Sequence, residues 1–203
     1  MLYQYHNIDR SLFIDHYLLV NQHINLTAIR DADQFFSKHI VDSLTLIQIF
    51  QIQDGWKVCD VGTGWGFPLL PLAIVHSWVD FIWLDSVQKK LNTIQSIAEY
   101  HHIHNIHTVW SRAESHPCRY DLVTCRAVAY IDKLIPQIRH LVTDTGYIAL
   151  YKLFSIQEEQ DLIKITKNYQ LRLMVKHYYT LNDQDTPRVL YLLQSQNLSY
   201  LRS

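Results

Sequence analysis

Three of the five glycines in this 203-residue chain, Gly62, Gly64 and Gly66, fall within five residues, in the stretch Val58-Cys-Asp-Val-Gly-Thr-Gly-Trp-Gly-Phe67. Glycine costs backbone entropy and is used where the chain needs positive φ or where another group must come close. The loop follows a short apolar run, Lys57–Val61, and leads into a helical pattern beginning near Phe67-Pro68, where proline suits a first turn. Between a strand and a helix, such a loop lets a ligand lie against main-chain N–H groups at the carboxyl edge of a sheet. The rest of the chain must supply that sheet.

It does so by alternation. Strands are predicted over Lys57–Val61, Phe81–Leu84, Ile106–Trp110, Leu122–Cys125, Tyr147–Tyr151, Leu171–His177 and Val189–Gln194. Helical spacing fills the gaps, most clearly at Val87, Leu91, Ile94 and Ala98, and again over Ile131–Leu141 and Ser155–Lys167. Alternating strands and helices specify an α/β, doubly wound, largely parallel sheet of seven strands, the Rossmann-like class. Only Tyr178–Arg188 joins the last two strands, which should form an antiparallel hairpin at the sheet edge. Upstream, Phe36, Ile40, Leu44 and Ile47 recur at helical spacing behind Asp31 or Asp33 as an N-cap. Residues 1–55 therefore read as an N-terminal helical segment and 56–203 as the ligand-binding domain, within one compact unit.

Composition narrows the class. Apolar residues make up 48% and charged residues 18%, a globular balance. No run of eighteen apolar residues offers a membrane span, and the N-terminus lacks the basic start and apolar stretch of a secretory signal. Cys59, Cys118 and Cys125 have no metal-ligand spacing and read as reduced, buried thiols of a cytoplasmic protein. Net charge is −1, with three Lys/Arg against six Asp/Glu in residues 1–55 and fifteen against thirteen beyond. That is a poor footprint for a general nucleic-acid binder, so any RNA contact must rest on a local cluster.

The ligand of the glycine loop is a dinucleotide or S-adenosylmethionine. Asp85 closes the second predicted strand, where a carboxylate can accept both hydroxyls of a ribose in either case. The spacing Gly-x-Gly-x-Gly lacks the pyrophosphate-binding register. Asp60 before the loop would repel a pyrophosphate and suits an ammonium or sulfonium group. The terminal hairpin and the lack of length for a second substrate domain also favour S-adenosylmethionine.

Several stretches in combination carry a family resemblance, spanning about Asn21 to Leu193. They are Asn25-Leu-Thr-Ala-Ile-Arg-Asp31, His39-Ile-Val-Asp-Ser-Leu44, Asp60-Val-Gly-Thr-Gly-Trp-Gly-Phe-Pro68 with Pro71-Leu-Ala-Ile74, Leu84-Asp-Ser86 with Lys89, Ser111-Arg-Ala-Glu114, Cys125-Arg-Ala-Val-Ala129, and Lys152. The chain resembles the bacterial 16S ribosomal RNA guanine-N7 methyltransferases, also called glucose-inhibited division protein B. The resemblance implies methyl transfer from S-adenosylmethionine to one guanine of 16S rRNA, conventionally numbered 527, in naked rRNA or the small ribosomal subunit, by a monomeric cytoplasmic enzyme. It implies that Gly62 and Phe67 line the cofactor site beside Asp60, Gly64, Gly66 and Asp85. Ala113 and Glu114 would hold the adenine, and Arg126 would sit beside the cofactor. Lys89, Arg112, Arg126 and Lys152 match a basic cluster at the site mouth, a local patch for a phosphate backbone on a nearly neutral chain. Leu69 and Leu153 stand where family members have glycine, and the region before Asn21 is short; these departures bear on the pocket mouth and the rRNA docking surface.

Guanine N7 carries an in-plane lone pair and no proton, so no general base is expected. The requirement is in-line approach within about 3–3.5 Å. A target base held in RNA structure would be splayed out onto an aromatic platform, with Trp65 and Phe67 as candidates or, more simply, as pocket walls. His101-His-Ile-His-Asn-Ile-His107 reads as a solvated helix terminus and strand start, not a metal site. His39 and Asp42 make an orienting pair for the N-terminal segment or for RNA, and Tyr178, Tyr179 and Tyr191 pack edge strands. Two other readings compete: a small-molecule methyltransferase on the same fold, and a non-catalytic RNA-binding or ribosome-assembly factor.

Overall fold

The computed structural model describes residues 10–62, 64–181 and 186–196. Thr63 of the glycine loop, the N-terminus read for a leader, part of the connection before the last strand, and the final residues lie outside them. Helix α1 (Arg10–Ile24) precedes a broken helical run: α2 (Ala32–Phe35), a π-helical stretch (Phe36–Val41), α3 (Asp42–Leu44) and α4 (Leu46–Ile49). Asp31 caps this run, its carboxylate accepting the Gln34 N–H at 2.8 Å.

Then come β1 (Lys57–Val61), α5 (Leu69–Val75), β2 (Asp80–Asp85), α6 (Gln88–Tyr100), β3 (Ile106–Trp110), β4 (Tyr120–Arg126), α7 (Ile131–Ile138), β5 (Val142–Leu153), α8 (Ile156–Asn168), β6 (Leu171–Tyr179) and β7 (Arg188–Ser195). All seven predicted strands form. They make one sheet of order β3-β2-β1-β4-β5-β7-β6. Its first four pairings are parallel, while β7 pairs antiparallel with both β5 and β6. The strand order reverses between β1 and β4, which opens a crevice at their carboxyl ends.

Period-two alternation divides the core between the two sheet faces. Val58, Phe81, Trp83 and Leu122 face one layer, with α1, the helical run, α5 and α6. Cys59, Val61, Ile82, Leu84 and Val123 face the other, with α7 and α8. The N-terminal helices share the first layer: Phe13, Ile14, Tyr17 and Phe35 are buried among the same side chains as Phe67, Leu70 and Leu91.

Three expectations need adjusting. Pro68 stands one residue before α5, because residues 64–68 continue as turns. The π stretch interrupts the predicted amphipathic helix; one extra residue per turn rotates the downstream side chains about the axis, a feature common at functional sites. Cys118 is exposed, unlike Cys59 and Cys125, whose thiols burial pushes far above their usual range.

Candidate active site

The carboxyl ends of β1, β2 and β4 open onto a cavity of about 490 Å³. Gly62, Gly64, Trp65 and Phe67 form its floor, Asp85 to Val87 with Lys90 one flank, and Arg126 to Val128 the other, while Tyr17, Leu26, Thr27 and His39 arrive from the N-terminal segment. The three glycines differ in what surrounds them. A Cβ on Gly66 would meet Leu70 Cδ1 at 2.5 Å, and one on Gly62 would meet Val128 Cγ2 at 3.0 Å. On Gly64, at φ +62°, it would meet nothing within 4 Å. Gly66 therefore answers to the protein's own packing, whereas the bare backbone at Gly64 faces open cavity.

Helix α1 clamps this loop, the buried Tyr17 hydroxyl donating to the Trp65 carbonyl at 2.6 Å. On the flank at β2, Asp85 Oδ1 accepts the Val87 N–H at 2.8 Å and Oδ2 lies 3.9 Å from Lys90 Nζ. Lys90, not Lys89, thus enters the wall; Lys89 is its exposed neighbour, turned about 100° around α6.

At the end of β4, Arg126 organises a buried network. Its Nη1 donates to Asp42 Oδ2 at 3.0 Å and to the Lys38 carbonyl at 3.2 Å, and Nη2 donates to His39 Nδ1 at 3.1 Å. A guanidinium can only donate, so Nδ1 accepts and His39 is the neutral Nε2–H tautomer. That N–H lies 3.1 Å from Thr27 Oγ1, which also accepts the Ile29 N–H. Burial, Arg126 and Arg188 push the His39 pKa down to about 3. Asp42, fully buried, also accepts the Tyr179 hydroxyl at 2.7 Å and faces Arg188 at 3.4 Å. The two guanidinium groups on one carboxylate leave a surplus positive charge under the cavity. Phe67 stacks on His39 with centroids 4.4 Å apart and carries Arg126 over its ring at 5.4 Å. Only 2% exposed, it is a wall of the cavity and not a base platform.

Other predicted residues fall elsewhere. Asp60 is fully buried beneath the loop, bonded to Thr124 Oγ1 at 2.5 Å, and does not line the cavity. Any effect it has on a ligand is through its field. Ala113 and Glu114 form a 3₁₀ turn after β3, outside the cavity wall, and Arg112 beside them is exposed. Lys152 departs most from expectation. Its side chain is 8% exposed and its Nζ lies 2.7 Å from Glu158 Oε1 and bonds the Ala129 carbonyl. A lysine already held by a buried carboxylate is not a free cation for a phosphate. Lys89, Arg112, Arg126 and Lys152 therefore do not form one exposed patch. Leu69 is buried in the core and leaves the cavity width alone, while Leu153 is exposed beside a second cavity. Tyr178 is half exposed and bonds Glu159, and Tyr191 is buried.

That second cavity, about 280 Å³, shares Arg126, Ala127 and Val128 with the first. A third, about 890 Å³, lies at the opposite sheet edge, beside His101, His102, His104 and His107. Among the described residues no group of three or more His, Cys, Asp or Glu side chains is placed to hold a metal, and no helix is long and apolar enough to cross a membrane.

The family described as rRNA small subunit methyltransferase G matches residues 8–186. The chain belongs to that family. A methyltransferase G of Lachnoclostridium phytofermentans is 30% identical over 195 residues, covering 91% of this chain and 79% of the relative. That of Haemophilus influenzae is 33% identical over 158 residues, covering 77% and 75%. Among solved structures, a SAM dependent methyltransferase from Aquifex aeolicus superposes with a TM-score of 0.63 at 15% identity, over 92% of this chain and 98% of that one. This likeness shows the class I methyltransferase fold. Five of the segments that carry the methyltransferase G resemblance meet at one place in space: Thr27, His39, Gly62, Gly64, Phe67, Asp85 and Arg126 line the same cavity, while Ser111–Glu114 and Lys152 lie outside it. Tyr17, Lys90, Tyr179 and Arg188 carried no sequence signal for the site; their roles come from contacts between distant segments.

Proposed function

We propose that this chain transfers the methyl group of S-adenosylmethionine to N7 of one guanine in 16S ribosomal RNA, in the cytoplasm. The observation that carries the reading is the open space over Gly64 beside the Asp85 carboxylate, at the point where the strand order reverses. Bare backbone on one side and a sugar-binding acid on the other fit an adenosyl ligand. Asp85 would hold the ribose through Oδ2, its Oδ1 being used to fix the turn into α6. Ala113 and Glu114, next to the end of β2, would border the adenine. Neighbouring strands lie about 4.8 Å apart, so the ends of β2 and β4 are separated by two strand spacings. The amino-acid end of the cofactor would then lie toward Arg126, where the surplus charge of the Asp42 network suits a carboxylate.

When bound, S-adenosylmethionine supplies an electrophilic methyl group whose bonding electron pair leaves with sulfur. The residues of the chain have no proton to move, because guanine N7 carries none. Their work is positioning, and the neutral His39 is consistent with a site built without an acid–base pair. Lys89 and Arg112, both exposed at this edge, would take rRNA phosphates.

The test is transfer of tritium from labelled cofactor onto 16S rRNA or 30S subunits, followed by mapping of the modified nucleotide. Label at N7 of a single guanine is expected. Absence of label from both substrates, in a protein that binds S-adenosylhomocysteine, would overturn the substrate assignment.

A further inference from the structure

We infer that the 280 Å³ cavity between β4, β5 and α8 receives the target base, and that Glu158 reads the N1–H and N2–H₂ edge of guanine. The inference rests on the guanine-N7 reading above and adds the residues that select the base. The cavity has room for about nine waters at roughly 30 Å³ each, enough for one planar bicycle and not for a duplex. It shares the wall Arg126–Val128 with the cofactor cavity, so a base lying in it has one edge toward the methyl donor.

Glu158 stands apart from that wall, at the start of α8. It is 5% exposed and lines this cavity but not the cofactor cavity. Both of its bonds, from Lys152 Nζ at 2.7 Å and from the Ile131 N–H at 3.1 Å, fall on Oε1. Among the described residues Oε2 accepts no hydrogen bond, yet it is not one of the polar atoms sealed from solvent without a partner. Glu158 lines the cavity, so Oε2 is the oxygen left to accept from a base placed there. An ionised carboxylate accepts and cannot donate. Guanine alone of the four bases offers two adjacent donors, N1–H and N2–H₂, and they lie on the far side of the bicycle from N7. With N7 toward the shared wall, that donor edge turns toward Glu158. Adenine would present an acceptor at N1 and leave Oε2 without that donor, while Oε1 keeps its bonds to Lys152 and Ile131.

The same contact serves the reaction. The N7 lone pair becomes the new N–C bond, the departing sulfur keeps the pair of the broken bond, no proton leaves, and the purine ends cationic. A carboxylate on N1–H and N2–H₂ binds that cation more tightly than the neutral base, an interaction that strengthens along the reaction. Tyr130, 65% exposed at the cavity, supplies the stacking face that the buried Phe67 cannot.

The experiment compares 16S rRNA carrying guanosine or inosine at the modified position, in methyl transfer by the wild type and Glu158→Gln. Inosine lacks the N2 amino group. Wild type should disfavour inosine by about tenfold or more in kcat/KM, the loss of one charge-assisted hydrogen bond. Glu158→Gln should treat the two RNAs alike while its calorimetric affinity for S-adenosylhomocysteine is unchanged. Tyr130→Ala should weaken RNA binding about tenfold and Tyr130→Phe restore it. Equal use of guanosine and inosine by the wild type, or full discrimination by Glu158→Gln, overturns the inference while leaving the methyl transfer itself in place. If Glu158→Gln does not fold, the inosine ratio of the wild type and the Tyr130 pair decide. No label on any RNA overturns the substrate reading and this inference together.

Discussion

Substituting Gly64 and Gly66 one at a time separates a glycine kept for a ligand from a glycine kept for the fold. Both have left-handed φ, +62° and +99°, so alanine costs backbone strain of about 1–2 kcal/mol at either position. At Gly66 the new methyl also strikes Leu70 Cδ1 at 2.5 Å and approaches Ile94 Cδ1 at 3.2 Å. Overpacking of that kind adds about 1–3 kcal/mol, for a sum of about 2–5 kcal/mol. At about 2–4 °C per kcal/mol for a chain of this size, Gly64→Ala should melt a few degrees lower and Gly66→Ala well below that. Ligand affinity should separate the pair again. The Gly64→Ala methyl occupies the space in which S-adenosylhomocysteine would touch the main chain, and loss of one or two such contacts weakens binding tenfold or more. Differential scanning fluorimetry and titration calorimetry read the two effects independently. A Gly64→Ala protein with wild-type affinity for S-adenosylhomocysteine would refute the placement of the cofactor on this loop.

Asp85→Ala should weaken S-adenosylhomocysteine binding by about 1.5–3 kcal/mol through loss of the ribose contact, measured by calorimetry; an unchanged Kd would remove that role. Asp42→Asn leaves two guanidinium groups without their carboxylate, so unfolding free energy should fall by about 3–5 kcal/mol, or roughly 6–20 °C in Tm. The fold holds the His39 pKa near 3, below the unfolded value of 6.5, because burial and the adjacent guanidinium groups disfavour the imidazolium. The unfolded chain therefore takes up a proton that the native state excludes. The stabilisation is complete above pH 6.5 and declines as pH falls toward 3, by at most about 1.4 kcal/mol per unit. His39→Gln keeps an acceptor for Arg126 and a donor for Thr27, so between about pH 7 and 5 it should lose about 2 kcal/mol less than wild type in urea denaturation. Equal losses would contradict the neutral tautomer.

The strands were legible because each is a short apolar run bounded by turn residues, and the sheet class followed from their alternation with helices. The glycine loop and Asp85 were legible as well, since each lies at the end of a strand and needs only local geometry to reach the cavity. Lysines 89 and 90 illustrate the limit. Either could face the site on pattern alone, and the choice depends on the residue at which α6 begins, which the Asp85–Val87 turn sets.

By itself the sequence determined where the backbone must be bare, which segments become strands, and hence on which edge a ligand can lie. These depend on neighbours within a few residues. Only the tertiary structure decided which charges are available there. Arg126 meets Asp42 across 84 residues and Asp42 meets Arg188 across 146, while Lys152 is neutralised by a glutamate on the following helix. Whether a cation binds a ligand or its own protein depends on the carboxylate that packing brings beside it, and no local spacing encodes that encounter.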